Sequence, residues 1–484
     1  MYTEAQECYL AVSSGDARFD GMFYVAVTST RIYCRPSCTA RTPKRENCRF
    51  YPSAAAAQLG GFRACKRCRP DTVPGSPEWQ TRSDTAARAM RLIADGIVDR
   101  EGVGGLASAV GYSERQLNRV LHEALGAGAL ALARSQRAQT ARILIETTMM
   151  SFATVAFAAG FNSIRQFNDT IKEVYATTPT ELRARSKVIP AAPGIVALRL
   201  AFRAPLALDR HLAFLGTRAL AGIEHVDVER NYTRSLPTPH GDAIARVFSE
   251  PDGSVLRVAM KMEDVRDLAP AVSRLRRLFD LDADPVAIDL VLQSDPLLRS
   301  VVRATPGLRV PGCVDATEMS VRAIVGQQVS VAGARTIVGR IVARLGRDLA
   351  MSDEFVTRAF PSAAAIAQAD LDGIGMPTAR IATVQRVCEA IADNDLRLDD
   401  RDDRANSRER LLAIHGIGPW TADYILMRAL GDPDAFLATD LGVKHGAAKL
   451  GIRGDLLQHA QRWRPWRSYA LMHLWNALSL ESHR

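Results

Sequence analysis

No apolar run in the 484-residue chain approaches the length that spans a bilayer. The opening residues, Met1-Tyr2-Thr3-Glu4, carry no basic-then-apolar signal. Both absences lead us to expect a cytoplasmic protein, nucleoid-associated if it binds DNA. Cysteine is sparse, eight residues in all, and disulfides are uncommon in a reducing compartment. Beyond residue 190 neither charge predominates, since 37 Lys/Arg stand against 36 Asp/Glu. That part has no bulk attraction for a polyanion and must bind one locally.

What is present is unevenly spread. Residues 1–70 hold 11 Lys/Arg and 5 Asp/Glu, and residues 71–190 hold 14 and 12, within a net charge of +9. Basic charge gathered at the N-terminus suits a polyanion partner met there. Hydrophobic content of 47% and charged content of 24% are those of an ordinary globular protein, and the length predicts three or four domains.

Four cysteines fall in two close pairs, Cys34-x3-Cys38 and Cys65-x2-Cys68. Such spacing favours metal over disulfide, and four thiolates suit tetrahedral zinc. A zinc clip for a small domain is the plain reading. Arginines and lysines around both pairs add a DNA-contact role. The segments Tyr33-Cys34-Arg35-Pro36-Ser37-Cys38-Thr39-Ala40-Arg41 and Cys65-Lys66-Arg67-Cys68-Arg69-Pro70 also resemble the N-terminal domain of the adaptive-response protein Ada. The resemblance implies that Cys34 accepts a methyl group from DNA methylphosphotriesters. Cys38, Cys65 and Cys68 would complete the zinc site, and Arg41 would lie near DNA phosphates. Zinc would keep Cys34 as the reactive thiolate. A four-thiolate centre of formal charge −2 would repel phosphodiesters yet admit the neutral triester.

After the Val73-Pro74-Gly75-Ser76-Pro77 linker come two similar units. Leu106, Val110, Leu117 and Val120 form an apolar stripe around Gly111-Tyr112-Ser113. Val155 and Phe167 do so around Gly160-Phe161-Asn162-Ser163. Each second helix opens on a capping box, Ser113-x-x-Gln116 and Ser163-x-x-Gln166, 50 residues apart. One such unit would fit a helical spacer. Two in tandem, ending at Ala176-Thr177-Thr178-Pro179-Thr180-Glu181-Leu182-Arg183, resemble the AraC-type transcription-factor domain. That resemblance implies recognition helices at about residues 113–123 and 163–175, set in successive major grooves. Arg115, Asn118, Arg119, Arg165 and Asn168 are expected to be exposed and to contact bases or phosphates. Promoter DNA and RNA polymerase are the implied partners.

A second linker, Pro190-Ala191-Ala192-Pro193-Gly194, precedes the strand-like Ile195–Phe202 and a Pro251-Asp252-Gly253 hairpin signal. A small antiparallel α+β domain is expected to about residue 280, then a helical region. Within the latter, Leu411-Leu412-Ala413-Ile414-His415-Gly416-Ile417-Gly418-Pro419-Trp420-Thr421-Ala422-Asp423-Tyr424 places two glycines in a tight turn between apolar helices. Free N–H groups at the start of the second helix, about Thr421 onward, would face a phosphate. Alone, this could be an ordinary helix turn. Asp440 lies 22 residues after Gly418, and Trp463-Arg464-Pro465-Trp466-Arg467-Ser468-Tyr469 follows. With Pro306-Gly307-Leu308-Arg309-Val310-Pro311-Gly312 and Arg322-Ala323-Ile324-Val325-Gly326-Gln327-Gln328-Val329-Ser330, these residues resemble the AlkA-type 3-methyladenine glycosylases of the helix-hairpin-helix superfamily.

The fold expected is therefore multi-domain, mainly α with α+β parts: a zinc domain over 1–75, a double helix-turn-helix over 78–186, an α+β domain over 194–280 and helix-hairpin-helix domains over 281–484. The last resemblance implies excision of alkylated purines from double-stranded DNA without a cofactor. Gly416 and Gly418 would grip the backbone, with Asp440 near the oxocarbenium sugar. Trp420, Tyr424 and Trp475 would receive the base. Locally, Asp440 reads equally as a helix N-cap, and each aromatic as core. Where bifunctional relatives carry a nucleophilic lysine, Trp420 implies hydrolysis that leaves an abasic site uncut. Gln328 replaces the usual leucine wedge, and Leu441 and Asn476 replace aromatics. The run Asp399-Asp400-Arg401-Asp402-Asp403 reads as a solvated loop. No Pro-Cys-His-Arg motif for an O6-methylguanine acceptor occurs. The competing reading is a non-catalytic DNA-binding regulator; a weaker rival is a lyase acting on oxidised bases.

Overall fold

The computed structural model describes residues 5–70, 85–186, 194–251, 253–351 and 353–479. The first linker, residues 190–193 of the second and Asp252 of the expected hairpin turn lie outside the described residues. The chain forms two compact units. The first gathers the described residues up to Arg203 with Thr238–Gly241 and Val255–Ser273; the second gathers Ala204–Pro237, Asp242–Ser254 and those from Arg274 onward. Each unit takes part of the stretch expected to form the α+β domain. No helix among the described residues is long and apolar enough to cross a membrane.

In the first unit, four short strands lie in the order Cys48–Tyr51, Tyr24–Val27, Ile32–Cys34, Arg63–Ala64. The last two run parallel, with Tyr33 opposite Ala64, so both cysteine pairs begin at one end of the sheet. Ser53 caps helix Ala54–Leu59, and its hydroxyl donates to the Leu125 carbonyl at 2.8 Å. This joins the sheet to the helices that follow. Those helices close over Leu106, Val110, Leu117, Leu121 and Leu125. Val120, expected in that stripe, is only half-buried, and Leu121 takes its place. Strands Ile195–Ala201 and Val255–Met262 pair antiparallel, from Ile195 opposite Lys261 to Ala201 opposite Val255. Val196, Leu198 and Leu200 alternate inward, as a half-buried strand requires.

The second unit is helical apart from short strands. Glu224–Val226 pairs with Tyr232–Thr238, and Arg347–Asp348 pairs with Arg358–Ala359. It has two apolar cores. One gathers Ile324, Ile341, Val384, Leu411 and Ile425; the other gathers Leu292, Val302, Trp463 and Leu471. Tyr424 packs against both. Helix Pro419–Ala429 therefore stands at the seam, with Ile425 in one core and Met427 in the other.

Candidate functional site

Cys34 ends a strand, and Cys65 directly follows the strand paired with it. The Cys65 N–H donates to the Tyr33 carbonyl at 3.0 Å, which locks the two chain segments in register. The sulfurs of Cys34, Cys38, Cys65 and Cys68 all lie within 4.8 Å of one another. A tetrahedron with zinc–sulfur bonds of about 2.3 Å has edges of about 3.8 Å, so this donor set fits zinc. Hydrogen bonds among the sulfurs push the Cys34 thiol up and the Cys65 thiol down. A dication would replace those shared protons. Cys34, at 9% exposed, is less open than the half-buried Cys38. Asp20, which sequence reasoning missed, braces the first knuckle. Its carboxylate accepts from the Ser37 N–H at 3.0 Å and the Ser37 hydroxyl at 2.6 Å, and it pairs with Arg35 at 3.3 Å. Burial pushes its pKa up. Arg41 is exposed nearby in sequence, free to meet an anion.

The two expected recognition helices span Glu114–Leu125 and Ile164–Tyr175. Arg115, Arg119, Arg165 and Asn168 are exposed. Asn118 is not: it is half-buried, its Oδ1 accepts from the Ala129 N–H at 3.0 Å, and its Nδ2 donates to the Glu114 carbonyl at 3.0 Å. With both ends engaged it ties one helix to the next, which corrects the expectation that its side chain is exposed. The Ser113–Gln116 capping box is reciprocal, whereas Ser163 caps only by accepting from the Gln166 N–H.

At the Gly-Ile-Gly turn, Gly416 has φ +96°, a backbone conformation that favours glycine. A Cβ there would meet Thr383 Oγ1 at 2.1 Å. The helix starts at Pro419, two residues earlier than expected, because proline at the first helical position needs no N–H partner. Its N-cap, Gly418, offers no side chain to the turn's free N–H groups. Gln327 ties the neighbouring turn to this one, donating to the Gly416 carbonyl at 3.2 Å and the Thr421 hydroxyl at 2.9 Å. Gln328 sits exposed in the left-handed conformation with φ +57°. Its neighbours Gly326 and Val329 line the adjoining cavity, and Gln328 is absent from that lining.

That cavity, of about 720 Å³, is lined by Trp420, Tyr424, Asp440 and Trp475 among others. Asp440 is both an N-cap and a cleft acid. Its Oδ1 accepts from the Val443 N–H at 2.8 Å and from Trp475 Nε1 at 2.9 Å, and its Oδ2 accepts from Trp420 Nε1 at 3.1 Å. Two indoles thus aim the carboxylate. Trp420 and Tyr424 stack with centroids 5.3 Å apart and planes at 9°. Trp475 lies edge-on to Tyr424 at 6.4 Å and stacks on Phe214 at 6.3 Å. Phe214 was invisible as a site residue because it stands far earlier in the chain. Arg218 Cζ lies 3.7 Å over its ring, and Arg428 Cζ lies 4.9 Å from it. Several aromatic faces expected to be open are therefore already covered. Burial pulls the Arg218 pKa below its ordinary value.

The replacements have separate fates. Leu441 is 70% exposed, while Asn476 is buried and donates to the Thr305 hydroxyl at 3.0 Å. The acidic run is not simply a solvated loop. Asp403 caps helix Arg404–Ala413, and Asp402 accepts from the Asn406 amide at 2.7 Å. No lysine is among the residues lining the cavity.

Four family profiles match: the metal binding domain of Ada over residues 7–71, a helix-turn-helix domain over 106–185, the AlkA N-terminal domain over 197–315, and the HhH-GPD superfamily base excision DNA repair protein over 321–463. The chain is 52% identical over 485 residues to the probable bifunctional transcriptional activator/DNA repair enzyme AlkA of Mycobacterium tuberculosis, covering 99% of this chain and 97% of that protein. It is 33% identical over 270 residues to DNA-3-methyladenine glycosylase 2 of Escherichia coli, covering 54% of this chain and 91% of that one. The solved 3-methyladenine DNA-glycosylase of Archaeoglobus fulgidus shares the fold, with a TM-score of 0.51 at 20% identity over 59% of this chain and 99% of its own.

Proposed function

Because the chain belongs to the AlkA-type family of bifunctional transcriptional activator/DNA repair enzymes, we propose that it couples two chemistries on alkylated DNA, one at zinc-held sulfur and one at Asp440. It acts in alkylation repair and its regulation, it binds DNA, and its repair activity is that of a 3-methyladenine DNA glycosylase. One zinc ion is its cofactor. We assign its functions to four segments, 1–75, 78–186, 194–280 and 281–484.

The observation that carries the excision reading is the Asp440 carboxylate, aimed by two indole N–H groups at the edge of an aromatic cavity. A base must leave the duplex to be cut. Gly416 and Gly418 hold the backbone through the turn's free N–H groups, and Gln328 fills the gap left behind. The flipped base enters the cavity that Trp420, Tyr424 and Trp475 line. As its bond to the sugar breaks, Asp440 stabilises the positive sugar and water completes hydrolysis. Trp420, standing where bifunctional relatives carry a nucleophilic lysine, supports an uncut abasic product.

At the N-terminus, Cys34 takes the methyl group of a phosphotriester: a carbon–sulfur bond forms, the methyl–oxygen bond breaks, and an ordinary phosphodiester anion is left. With zinc held by Cys34, Cys38, Cys65 and Cys68, the formal charge of the site would go from −2 to −1. One charge removed about 6 Å from a phosphate is worth roughly 3 kcal/mol at an effective dielectric of about 20, enough for about 100-fold tighter DNA binding. Arg41, Arg115, Arg119, Arg165 and Asn168 then hold promoter DNA, and RNA polymerase is the partner recruited.

Incubation with randomly methylated duplex tests both halves. Expected outcomes are release of 3-methyladenine with intact strands, and a methyl group on the Cys34 peptide by mass spectrometry. Methyl on the more open Cys38 instead would reassign the acceptor. DNA binding without base release would favour the non-catalytic regulator, and nicking without alkali would favour the lyase.

A further inference from the structure

The cavity wall carries charges of both signs. Asp440 is hydrogen-bonded to Trp475, and Trp475 stacks on Phe214 with centroids 6.3 Å apart. On Phe214 lies the Arg218 guanidinium, 3.7 Å from the ring centroid, and Arg218 lines the same cavity. Two aromatic rings thus separate a carboxylate from a guanidinium. Arg428 adds positive charge but is immobilised: it donates to the carbonyls of Pro311 and Gly312, and to the Tyr424 hydroxyl at 2.8 Å. Arg234 and Arg322, also in the wall, are neutralised by Glu224 and Glu318. Among the described residues Arg218 pairs with no carboxylate; it donates to the Phe214 carbonyl at 3.2 Å and the Thr217 hydroxyl at 3.0 Å, and it interacts with the Tyr424 hydroxyl.

We propose that Arg218, in the wall of the cavity that Asp440 also lines, lies beside the base, drives the bonding electrons toward it as it departs and so favours excision over retention. The inference rests on the glycosylase reading. When the C1′–N9 bond breaks, its electron pair goes to N9, so the base loses one unit of charge and the sugar gains one. A purine methylated at N3 or N7 goes from cation to neutral, and hypoxanthine goes from neutral to anion. A fixed cation beside the base favours both changes, as the carboxylate favours the sugar cation. Water oxygen then bonds to C1′, and its proton passes to solvent. In the bound state the guanidinium repels only the cationic base. Arg218 therefore weakens binding of charged lesions while accelerating the cutting of charged and neutral lesions alike.

Single-turnover assays separate these effects, using duplexes that carry one 7-methylguanine or one hypoxanthine. Arg218→Gln is expected to lower the maximal rate about tenfold on both substrates. The half-saturating concentration should fall for 7-methylguanine alone, a split that lost packing does not produce. Arg218→Lys should retain most of the rate. Arg218→Met, which keeps an apolar stem against Phe214, is a second neutral variant should the first fail to fold. Equal losses in the Lys and neutral variants, or unchanged maximal rates in the latter, would overturn the inference. Failure of the unaltered protein to release any base would overturn the glycosylase reading with it, an outcome distinct from release that ignores Arg218.

Discussion

Asp440 joins two demands in one side chain, since the oxygen that caps helix Leu441–Lys449 also accepts from Trp475. Asparagine is an equally good cap but places an NH2 group against an indole N–H. Asp440→Asn should therefore fold and bind DNA, yet lose about 100-fold or more in base release, as measured by chromatography of freed bases. Retained release would remove Asp440 from the chemistry. Gly416 is constrained by its backbone rather than by a reagent. Gly416→Ala combines positive φ with a clash on Thr383, whose hydroxyl bonds the Ala379 carbonyl at 3.0 Å. A loss of about 2–4 kcal/mol in denaturant unfolding is expected. His473 is a third case: fully buried, with neither ring nitrogen bonded among the described residues, it is pushed down to about 4 by burial. The unfolded chain binds that proton more readily, so this stability is present above about pH 6.5 and lost as pH falls toward the folded value. His473→Leu should flatten the fall in melting temperature over that interval.

At the scale of elements, two helices with similar opening sequences are held differently. Helix Glu114–Leu125 has a reciprocal box and is tied to the next helix through Asn118, whereas Ile164–Tyr175 has a single Ser163 cap bond. Asn118→Ala should cost about 1 kcal/mol of stability with DNA sequence preference unchanged. Arg119→Ala, on an exposed position, should leave stability alone and weaken DNA binding with a shallower salt dependence. Gel-shift titrations at several salt concentrations distinguish the two. The Gly-Ile-Gly turn was legible because both glycines and Pro419 act within a few residues of chain. Its partner Gln327 was not, because the contact spans 89 residues.

Across the whole molecule, the clustered cysteines belong to the first unit and Asp440 to the second. Zinc binding contributes folding free energy only where its ligands are. Chelation under mild conditions should abolish methyl acceptance by the N-terminal part and leave release of 3-methyladenine in place. Loss of both together would mean that the metal supports more than its own sheet. Charge divides similarly: basic excess lies in residues 1–70, while the part beyond residue 190 is near neutral and carries the glycine turn and the cleft.

Local chemistry was therefore readable from the chain by itself. Two cysteine pairs, two serine caps, a glycine turn and a carboxylate at a set interval each act through neighbours a few residues away, and order along the chain preserves that information. Tertiary structure alone decided which groups share the cleft. Trp475 and Trp420 converge on Asp440 from either side, Phe214 and Arg218 arrive from a distant segment, and Asn118 is claimed by Ala129. Packing and long-range hydrogen bonds have no sequence period, so only the folded chain could show that Arg218 and Asp440 line one cavity.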